Sequence, residues 1–249
     1  MADVHSLLLA VQAERSLRQG TIYTYAGALK RIGVVDDSLS KEELESRILA
    51  LDNINARRTA AIAVRAVLGH RIKIPRGLPA RYDLPSEDSL RLALMLSKFE
   101  TRGLIMMYGG LRLGEACAVT GKQLDGDRLR IDRQILELHA QPGYPRVVRL
   151  GPPKGAEGDV VLPRWLCPLV AQLSGTDVPT PVRENLGRCG KKVGIKLNPH
   201  MLRHFYATES LARGVSVQTV SKQLRHSTVA ITWNTYAQSN DADIHTAWG

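Results

Sequence analysis

Apolar side chains recur at helical spacing through the first third of the chain. Two predicted helices near the start carry Leu7, Leu8, Val11 and Leu17, and then Tyr23, Leu29 and Ile32. Ser40 and Glu43 form a capping pair in front of a third predicted helix, Glu42–Leu51. Asn55 is expected to cap a fourth helix that extends to Leu68. The N-terminal part is therefore predicted to be a helical domain.

The helical pattern stops at the stretch RIKIPRGLPARYDLPSED, which contains three prolines. Proline lacks a backbone donor and disfavours helix in the residue before it, so this stretch is typical of a linker. We therefore predict a helical domain over residues 1–75, a linker over 76–85 and a second domain over 86–249.

The second domain begins with helical patterns and continues with strand-like ones. Ser86 is expected to cap a helix over Leu90–Leu96, and a further helix, Phe99–Tyr108, ends at two glycines. Apolar and polar positions then alternate in Arg128–Leu138, Arg146–Leu150 and Asp159–Leu162. Helical spacing returns after these segments. The predicted fold class is mostly α with a small antiparallel β-sheet, in one helical domain and one α+β domain.

Charge and composition narrow the possible partners. Lys and Arg number 34 against 24 Asp and Glu, which gives a net charge of +10. Such a balance favours a polyanionic partner, either nucleic acid or an anionic membrane. The apolar runs are too short to cross a bilayer, and the first residues do not resemble a signal peptide. Three widely spaced cysteines indicate reduced thiols, so we expect a protein of the cytoplasm with no membrane partner.

Several catalytic motifs are missing from the sequence. It contains no GxxxxGK[ST] phosphate-binding loop, no HExxH metal motif, no GxSxG elbow and no acidic cluster for two metal ions. Chemistry on a phosphate would therefore depend on cationic side chains, and we expect no metal and no other cofactor.

The C-terminal third supplies such side chains. His200 and Arg203 are spaced i,i+3, so on a helix they share one face. Arg112 follows two glycines at a predicted helix start, where backbone N–H groups and the helix dipole favour an anion. His226 comes later, and Tyr236 lies ten residues beyond it. Taken singly, each of these is also typical of an ordinary surface or core residue.

The joint pattern is more specific. The order GLRLGE, HMLRHFYAT, LRHS and then TY resembles the tyrosine recombinase family, the phage integrase group. The resemblance covers roughly Ser86–Gln238, and more weakly residues 1–84, which are similar to that family's helical core-binding domain. It implies a catalytic set, listed by matching motif as Arg112, Lys154, His200, Arg203, His226 and the nucleophile Tyr236.

The lysine assignment depends on its position between strands. The family carries this lysine on a β-hairpin turn, and Lys154 lies at the corresponding place in VVRLGPPKGAEGDVVLP. Arg146, Arg149 and Arg164 are nearby competitors. The sequence also departs from the family's pattern, because Arg225 stands before His226 where the family usually has Gly.

The resemblance implies a transesterification at a DNA phosphodiester. Tyr236 attacks the scissile phosphorus and forms a 3′-phosphotyrosyl link, and strand exchange passes through a Holliday junction without metal or ATP. Arg112 and Arg203 would bind the non-bridging oxygens, and His226 would donate a further hydrogen bond. His200 is the candidate base and Lys154 the candidate acid. Glu115, three residues after Arg112, is expected either to support a basic residue or to lie in solvent.

The expected partner is double-stranded DNA carrying core-type attachment sites. Arg57, Arg58 and Arg65 on the fourth predicted helix are candidate DNA contacts. A homotetramer on DNA and a monomer in its absence are expected, in the cytoplasm of a bacterial host. The leading function is site-specific recombination by a compact phage or mobile-element integrase. A host chromosome resolvase, a type IB topoisomerase-like enzyme and a non-catalytic DNA-binding regulator remain alternatives.

Overall fold

The computed structural model describes residues 2–75 and 84–236, with side chains as far as Trp233. The chain divides into two compact units. The first comprises Met1–Arg81 with Leu138–Val147, and the second Tyr82–Glu137 with Val148–Gly249. The predicted linker, 76–85, lies mostly outside the described residues, and the domain boundaries 1–75 and 86–249 stay predictions.

The described residues of the first unit form the helices α1 (Val4–Arg15), α2 (Gln19–Arg31), α3 (Lys41–Leu49) and α4 (Ile54–Leu68). The capping box before α3 is confirmed, because Ser40 and Glu43 exchange side-chain to backbone hydrogen bonds. The expected cap of α4 is wrong by two residues. Asn53 is the cap, since its Oδ1 accepts from the backbone N–H groups of Asn55 and Ala56.

Helix α4 packs against α1, α2 and α3, so it lies at the centre of this unit. Leu8, Leu29, Leu44 and Ile48 are fully buried around it. The segment Leu138–Val147 adds to the same unit: Tyr23 Oη donates to the carbonyl oxygen of a residue in this segment, Pro145, over 2.6 Å.

As far as Tyr236, the second unit has the α-helices α5 (Glu87–Met95), α6 (Glu100–Gly109), α7 (Leu113–Ala118), α8 (Cys167–Ala171), α9 (Pro179–Lys192), α10 (Pro199–Ala212), α11 (Val217–Leu224) and α12 (Val229–Tyr236), all within the described residues. Helix α6 is apolar almost all round and packs along α10. A helix of that composition is stable only inside a core. It ends at Gly110, whose φ of +68° stops the helix and turns the chain toward Arg112.

The strands of this fold are β1 (Leu124–Asp125), β2 (Arg128–Ile131), β3 (Gln134–Leu138), β4 (Val147–Gly151) and β5 (Gly158–Val161). They form a three-stranded antiparallel sheet in the order β1-β2-β5 and a two-stranded sheet β3-β4. The single strand predicted over Arg128–Leu138 is therefore two strands in two sheets. Leu129 and Ile131 point into the core, while their neighbours on β2 are exposed. The predicted class, mostly α with a small antiparallel β-sheet, is confirmed.

A buried arginine, Arg102, connects α6 to the end of α7. Arg102 on α6 is 2% exposed. It donates to the carbonyl oxygens of Ala116 and Val119 at the end of α7, over 2.8 and 2.6 Å, and pairs with Asp177 at 2.8 Å. These bonds satisfy carbonyl groups that the short helix α7 leaves without partners. Arg102 therefore fixes α7, the helix whose N-cap is Arg112.

Among the described residues, 2–75 and 84–236, no helix is both long enough and apolar enough to cross a bilayer.

Candidate active site

A cleft of about 570 Å³ opens in the second unit. Its lining brings together five of the six predicted catalytic residues: Arg112, Lys154, His200, Arg203 and His226. They come from the start of α7, the segment after β4, helix α10 and the loop after α11. Residues more than a hundred positions apart in sequence thus surround one space.

Arg203 is the most constrained of the five. Its side chain projects from α10 and is 3% exposed. One Nη donates to the carbonyl oxygen of Gly110 over 2.6 Å, and the other donates to that of Leu224 over 2.7 Å. Both acceptors are at helix ends, where carbonyl groups lack partners within their own helix. The guanidinium is therefore held in place before any ligand arrives.

Arg112 is the N-cap residue of α7 and is partly exposed to the cleft. Its backbone N–H donates to Glu115 over 2.9 Å, and its Nη1 donates to the other carboxylate oxygen over 3.0 Å. Glu115 is fully buried. The expectation that Glu115 supports a basic residue is confirmed by these contacts.

His200 lies on the first turn of α10 at the rim of the cleft. The ring of His204, one turn along the same helix, contacts it edge to face at a centroid distance of 4.5 Å. Partial burial, together with the charges of Arg203 and Arg112, lowers the pKa of His200 below its ordinary 6.5. At neutral pH the imidazole is therefore uncharged, the form that accepts a proton.

His226 follows α11 and is half-buried. Its Nδ1 lies 2.7 Å from Oγ1 of Thr232, a fully buried hydroxyl on α12. Burial, and then the charges of Arg203 and Arg112, lower the pKa of His226 to about 4. When the hydroxyl donates to Nδ1, the remaining proton sits on Nε2, the nitrogen then able to donate to an anion.

Arg225 also lines this cleft. It ends α11 in the left-handed conformation, with φ of +53°, a region that L residues other than Asn and Asp rarely adopt. This geometry is a physical reason for glycine at such a position. Here the arginine side chain turns inward, is buried, and pairs with Glu115.

Lys154 lies in the segment 152–157 between β4 and β5 and is exposed at the cleft. The expected hairpin turn is wrong, because β4 pairs with β3 and β5 pairs with β2. The segment instead connects β4 of the two-stranded sheet to β5 of the three-stranded sheet. Among the described residues lining the cleft, Lys154 is present and Arg146, Arg149 and Arg164 are not.

The outcome for Tyr236 is limited to its backbone. It is the last residue of α12, and this helix packs against α11 and α10. Helix α10 carries His200 and Arg203, and the loop after α11 carries His226. Its side chain lies outside the described residues, and its role as nucleophile stays a prediction.

The three candidate DNA contacts lie on α4 in the first unit. Arg57 Nε donates to the carbonyl oxygen of Leu51 over 2.5 Å, and Arg58 donates to that of Pro75 over 3.2 Å. Arg65 is exposed. Two of the three therefore have bonds within their own unit, and contact with DNA stays a prediction for all three.

Three further residues of the site were missed in the sequence. His204 had a usable signal, since it is four residues after His200 on the same helix. Thr232 had none, because only folding brings it to His226. Arg225 was visible only as a departure from a pattern. Over the described part of the chain, no group of three or more His, Cys, Asp or Glu side chains could hold a metal ion.

The fold and the cleft together define a class of protein: an α-rich domain that gathers arginine, lysine and histidine side chains around one cleft. A model described as the phage integrase family matches residues 176–243. Tyrosine recombinase XerA of Thermococcus kodakarensis is 29% identical over 64% of this chain, which covers 58% of that protein. Over these residues the chain is similar to the tyrosine recombinase family.

Other comparisons agree. Transposase A from transposon Tn554 of Staphylococcus aureus is 42% identical over 57 residues, 23% of this chain and 16% of that protein. The chain thus spans less than two thirds of the length of these relatives. The Tn1549 transposon integrase in complex with transposon right end DNA has a TM-score of 0.72 at 15% identity, over 99% of this chain and 98% of that one. A lambda integrase bound to DNA has a TM-score of 0.64 at 16% identity, over 96% and 98%. The fold is shared with these proteins.

Proposed function

We propose that this protein is a site-specific DNA recombinase that breaks and rejoins strands through a phosphotyrosyl link at Tyr236. The observation that carries the proposal is the shared cleft of Arg112, Lys154, His200, Arg203 and His226. Arginines on a protein surface and histidines in a core have no reason to gather around one cleft. Stabilising a phosphodiester transition state does need several such groups together, because its negative charge develops on several oxygens at once.

The cleavage step follows from the groups present. The phenolic oxygen of Tyr236 attacks the phosphorus, and its proton passes to His200, which is uncharged at neutral pH. The bond from phosphorus to the 5′-oxygen breaks, and Lys154 donates a proton to that oxygen. Attack by a 5′-hydroxyl of another strand reverses these transfers, so the bond energy is retained and no ATP is consumed.

The two arginines and His226 stabilise the transition state. Arg112 and Arg203 remain charged at any working pH and present planar donors to the non-bridging oxygens. His226 donates from Nε2 when Thr232 holds Nδ1. Each such preorganised donor is worth about 3 kcal/mol of the barrier in comparable sites.

Duplex DNA is the proposed substrate. The net charge of +10 favours it, and the relatives named above include recombinases and a transposase. Recombination between two duplexes cuts and rejoins four strands, and each cut needs one active site. We therefore propose a homotetramer on paired core-type sites and a monomer away from DNA. The proposed location is the cytoplasm, where such DNA is found.

A trapping experiment tests the proposal. The wild-type chain first selects duplexes from a random-sequence library, and a selected duplex is then nicked near each candidate position to release the 5′-hydroxyl strand. We expect a covalent protein–DNA adduct that survives denaturation with the wild type and is absent with Tyr236→Phe. Tight binding of the selected duplex without any adduct would instead support the non-catalytic regulator.

A further inference from the structure

The backbone conformation at Arg225, the residue that ends α11, is unfavourable for an arginine. The backbone is left-handed, with φ of +53° and ψ of +49°, where a β-carbon is unfavourable. The side chain is 3% exposed, and its Nε has no hydrogen-bond partner among the described residues. A strained backbone and a buried charge persist only when the surroundings hold them, and such features cluster at functional sites.

The partner of Arg225 is the carboxylate that also holds Arg112. Glu115 accepts from the backbone and the Nη1 of Arg112 and from an Nη of Arg225. With Arg112 alone, the buried carboxylate would neutralise the guanidinium that faces the cleft. With both arginines the trio carries one net positive charge, so Arg112 is fixed in direction and the cleft stays cationic.

Arg225 also touches the segment that carries Lys154. The chain at Gly155 passes so close that a β-carbon there would lie 2.9 Å from the carbonyl oxygen of Arg225 and 3.1 Å from Nη1 of Arg112. A β-carbon on Gly158 would lie 3.7 Å from Cδ of Arg225. One residue thus meets α7, the end of α11 and the lysine-bearing segment.

We propose that Arg225 is a positioning residue for strand transfer, which holds Glu115 and Arg112 in register and supports the segment that presents Lys154. The proposal rests on the proposed function. Arg225 acts through these neighbours, and its loss is expected to slow cleavage while DNA binding is retained, since binding draws on many contacts across the chain.

Arg225→Gly gives a sharp test, because glycine removes the side chain and relieves the backbone at the same time. Ser16→Gly is the matched control: Ser16 ends α1 with φ of +48° and lies in the other unit. We expect Ser16→Gly to melt at or above the wild-type temperature. Arg225→Gly should melt lower than Ser16→Gly, because relief of the backbone is offset by the loss of the buried ion pair with Glu115. Single-turnover adduct formation should fall on the order of 100-fold in Arg225→Gly, with affinity changed less than about 3-fold, and stay unchanged in Ser16→Gly.

Arg225→Lys provides the rescue. It restores the positive charge beside Glu115, and we expect it to recover about a tenth or more of the wild-type rate. A wild-type rate in Arg225→Gly would overturn the proposal, and so would equal rates in Arg225→Gly and Arg225→Lys. If Arg225→Gly melts far below Ser16→Gly, the comparison with Arg225→Lys alone decides.

A second readout separates this proposal from the proposed function. In protein labelled with ¹⁵N-arginine, the paired guanidinium of Arg112 should give separate, slowly rotating Nη signals, and these should shift in Arg225→Gly because Glu115 then pairs with Arg112 alone. Absence of an adduct with the wild type would refute the recombinase proposal. Arg112 signals that do not change in Arg225→Gly would refute the positioning role, whether or not an adduct forms.

Discussion

The guanidinium of Arg203 donates a 2.6 Å hydrogen bond to the carbonyl oxygen of Gly110, and this bond joins α10 to the left-handed end of α6. Its second bond, to Leu224, joins the same helix to the end of α11. The ends of α6 and α11 therefore meet α10 at one side chain. Arg203 has both a structural and a proposed catalytic role, and the two can be separated by experiment.

Replacing Arg203 should lower stability as well as activity. Lysine cannot reach both carbonyl groups, so one buried acceptor loses its donor in Arg203→Lys. We expect the free energy of unfolding to fall by about 2 kcal/mol, measured by urea denaturation. Arg183→Ala, an exposed arginine on the same cleft, is the control and should change stability by less than about 0.5 kcal/mol. Equal stabilities for the two variants would contradict the role given to the Gly110 and Leu224 bonds.

The hydroxyl of Thr232 should determine which nitrogen of His226 faces the cleft. Thr232→Val removes the hydroxyl at nearly constant volume and leaves Nδ1 without that partner. We expect a loss of about 1 kcal/mol in stability and about tenfold slower adduct formation, with Thr232→Ser close to the wild type. Nitrogen NMR of the His226 ring reports the tautomer directly. An unchanged tautomer in Thr232→Val would show that another group determines it.

Acid should destabilise the second unit before its carboxylates protonate. His226 and His204 both have a pKa of about 4 in the folded protein, mainly through burial, against an ordinary 6.5. Between these values the unfolded chain binds more protons, so the stabilisation is complete above pH 6.5 and is lost as pH falls toward 4.

The size of this effect is measurable by denaturation at fixed pH. We expect the unfolding free energy to drop by on the order of 1 kcal/mol per histidine between pH 7 and pH 5, after allowance for partial exposure. The pH dependence should be shallower in His204→Gln. A stability that is flat across this range in the wild type would exclude the depressed pKa values.

Gly121 lies where no side chain fits. A β-carbon there would lie 2.2 Å from the carbonyl oxygen of Ala171, a backbone atom that cannot rotate away. We expect Gly121→Ala to lower the free energy of unfolding by about 2 kcal/mol. Gly151→Ala is the matched control, since nothing lies within 4 Å of the added carbon. Thermal unfolding of the two variants side by side tests the packing of the turn Gly121–Gln123, just before β1, against α8.

Arg65 is the exposed member of the three arginines proposed to contact DNA. If it meets a phosphate, Arg65→Ala should reduce the slope of log affinity against log salt by about 1, with folding unchanged. Arg57→Ala serves as a contrast, because Arg57 Nε already bonds Leu51 within the unit and its loss should also lower the melting temperature. A salt slope that is the same in Arg65→Ala and the wild type would remove this residue from the interface.

Local signals predicted most of the elements. The capping pair Ser40 and Glu43 marked α3, and the two glycines after Tyr108 marked the end of α6, because these patterns act within one helical turn. Predictions that depended on pairing were less accurate. The strand at Arg128–Leu138 divides between two sheets, since alternation specifies which face is buried and not which strand is the neighbour.

The order of residue types along the chain was enough, by itself, to determine the fold class and the basic character, because these depend on composition or on contacts between near neighbours. The members of the candidate set were implied by the resemblance of the motifs to the tyrosine recombinase family. Only the tertiary structure decided that Lys154 lies between strands of two different sheets and that Thr232 meets His226. It also decided that Arg225 turns inward to share Glu115 with Arg112. Such long-range contacts depend on how buried helices and strands pack, and no spacing in the sequence encodes the direction of a side chain in that packing.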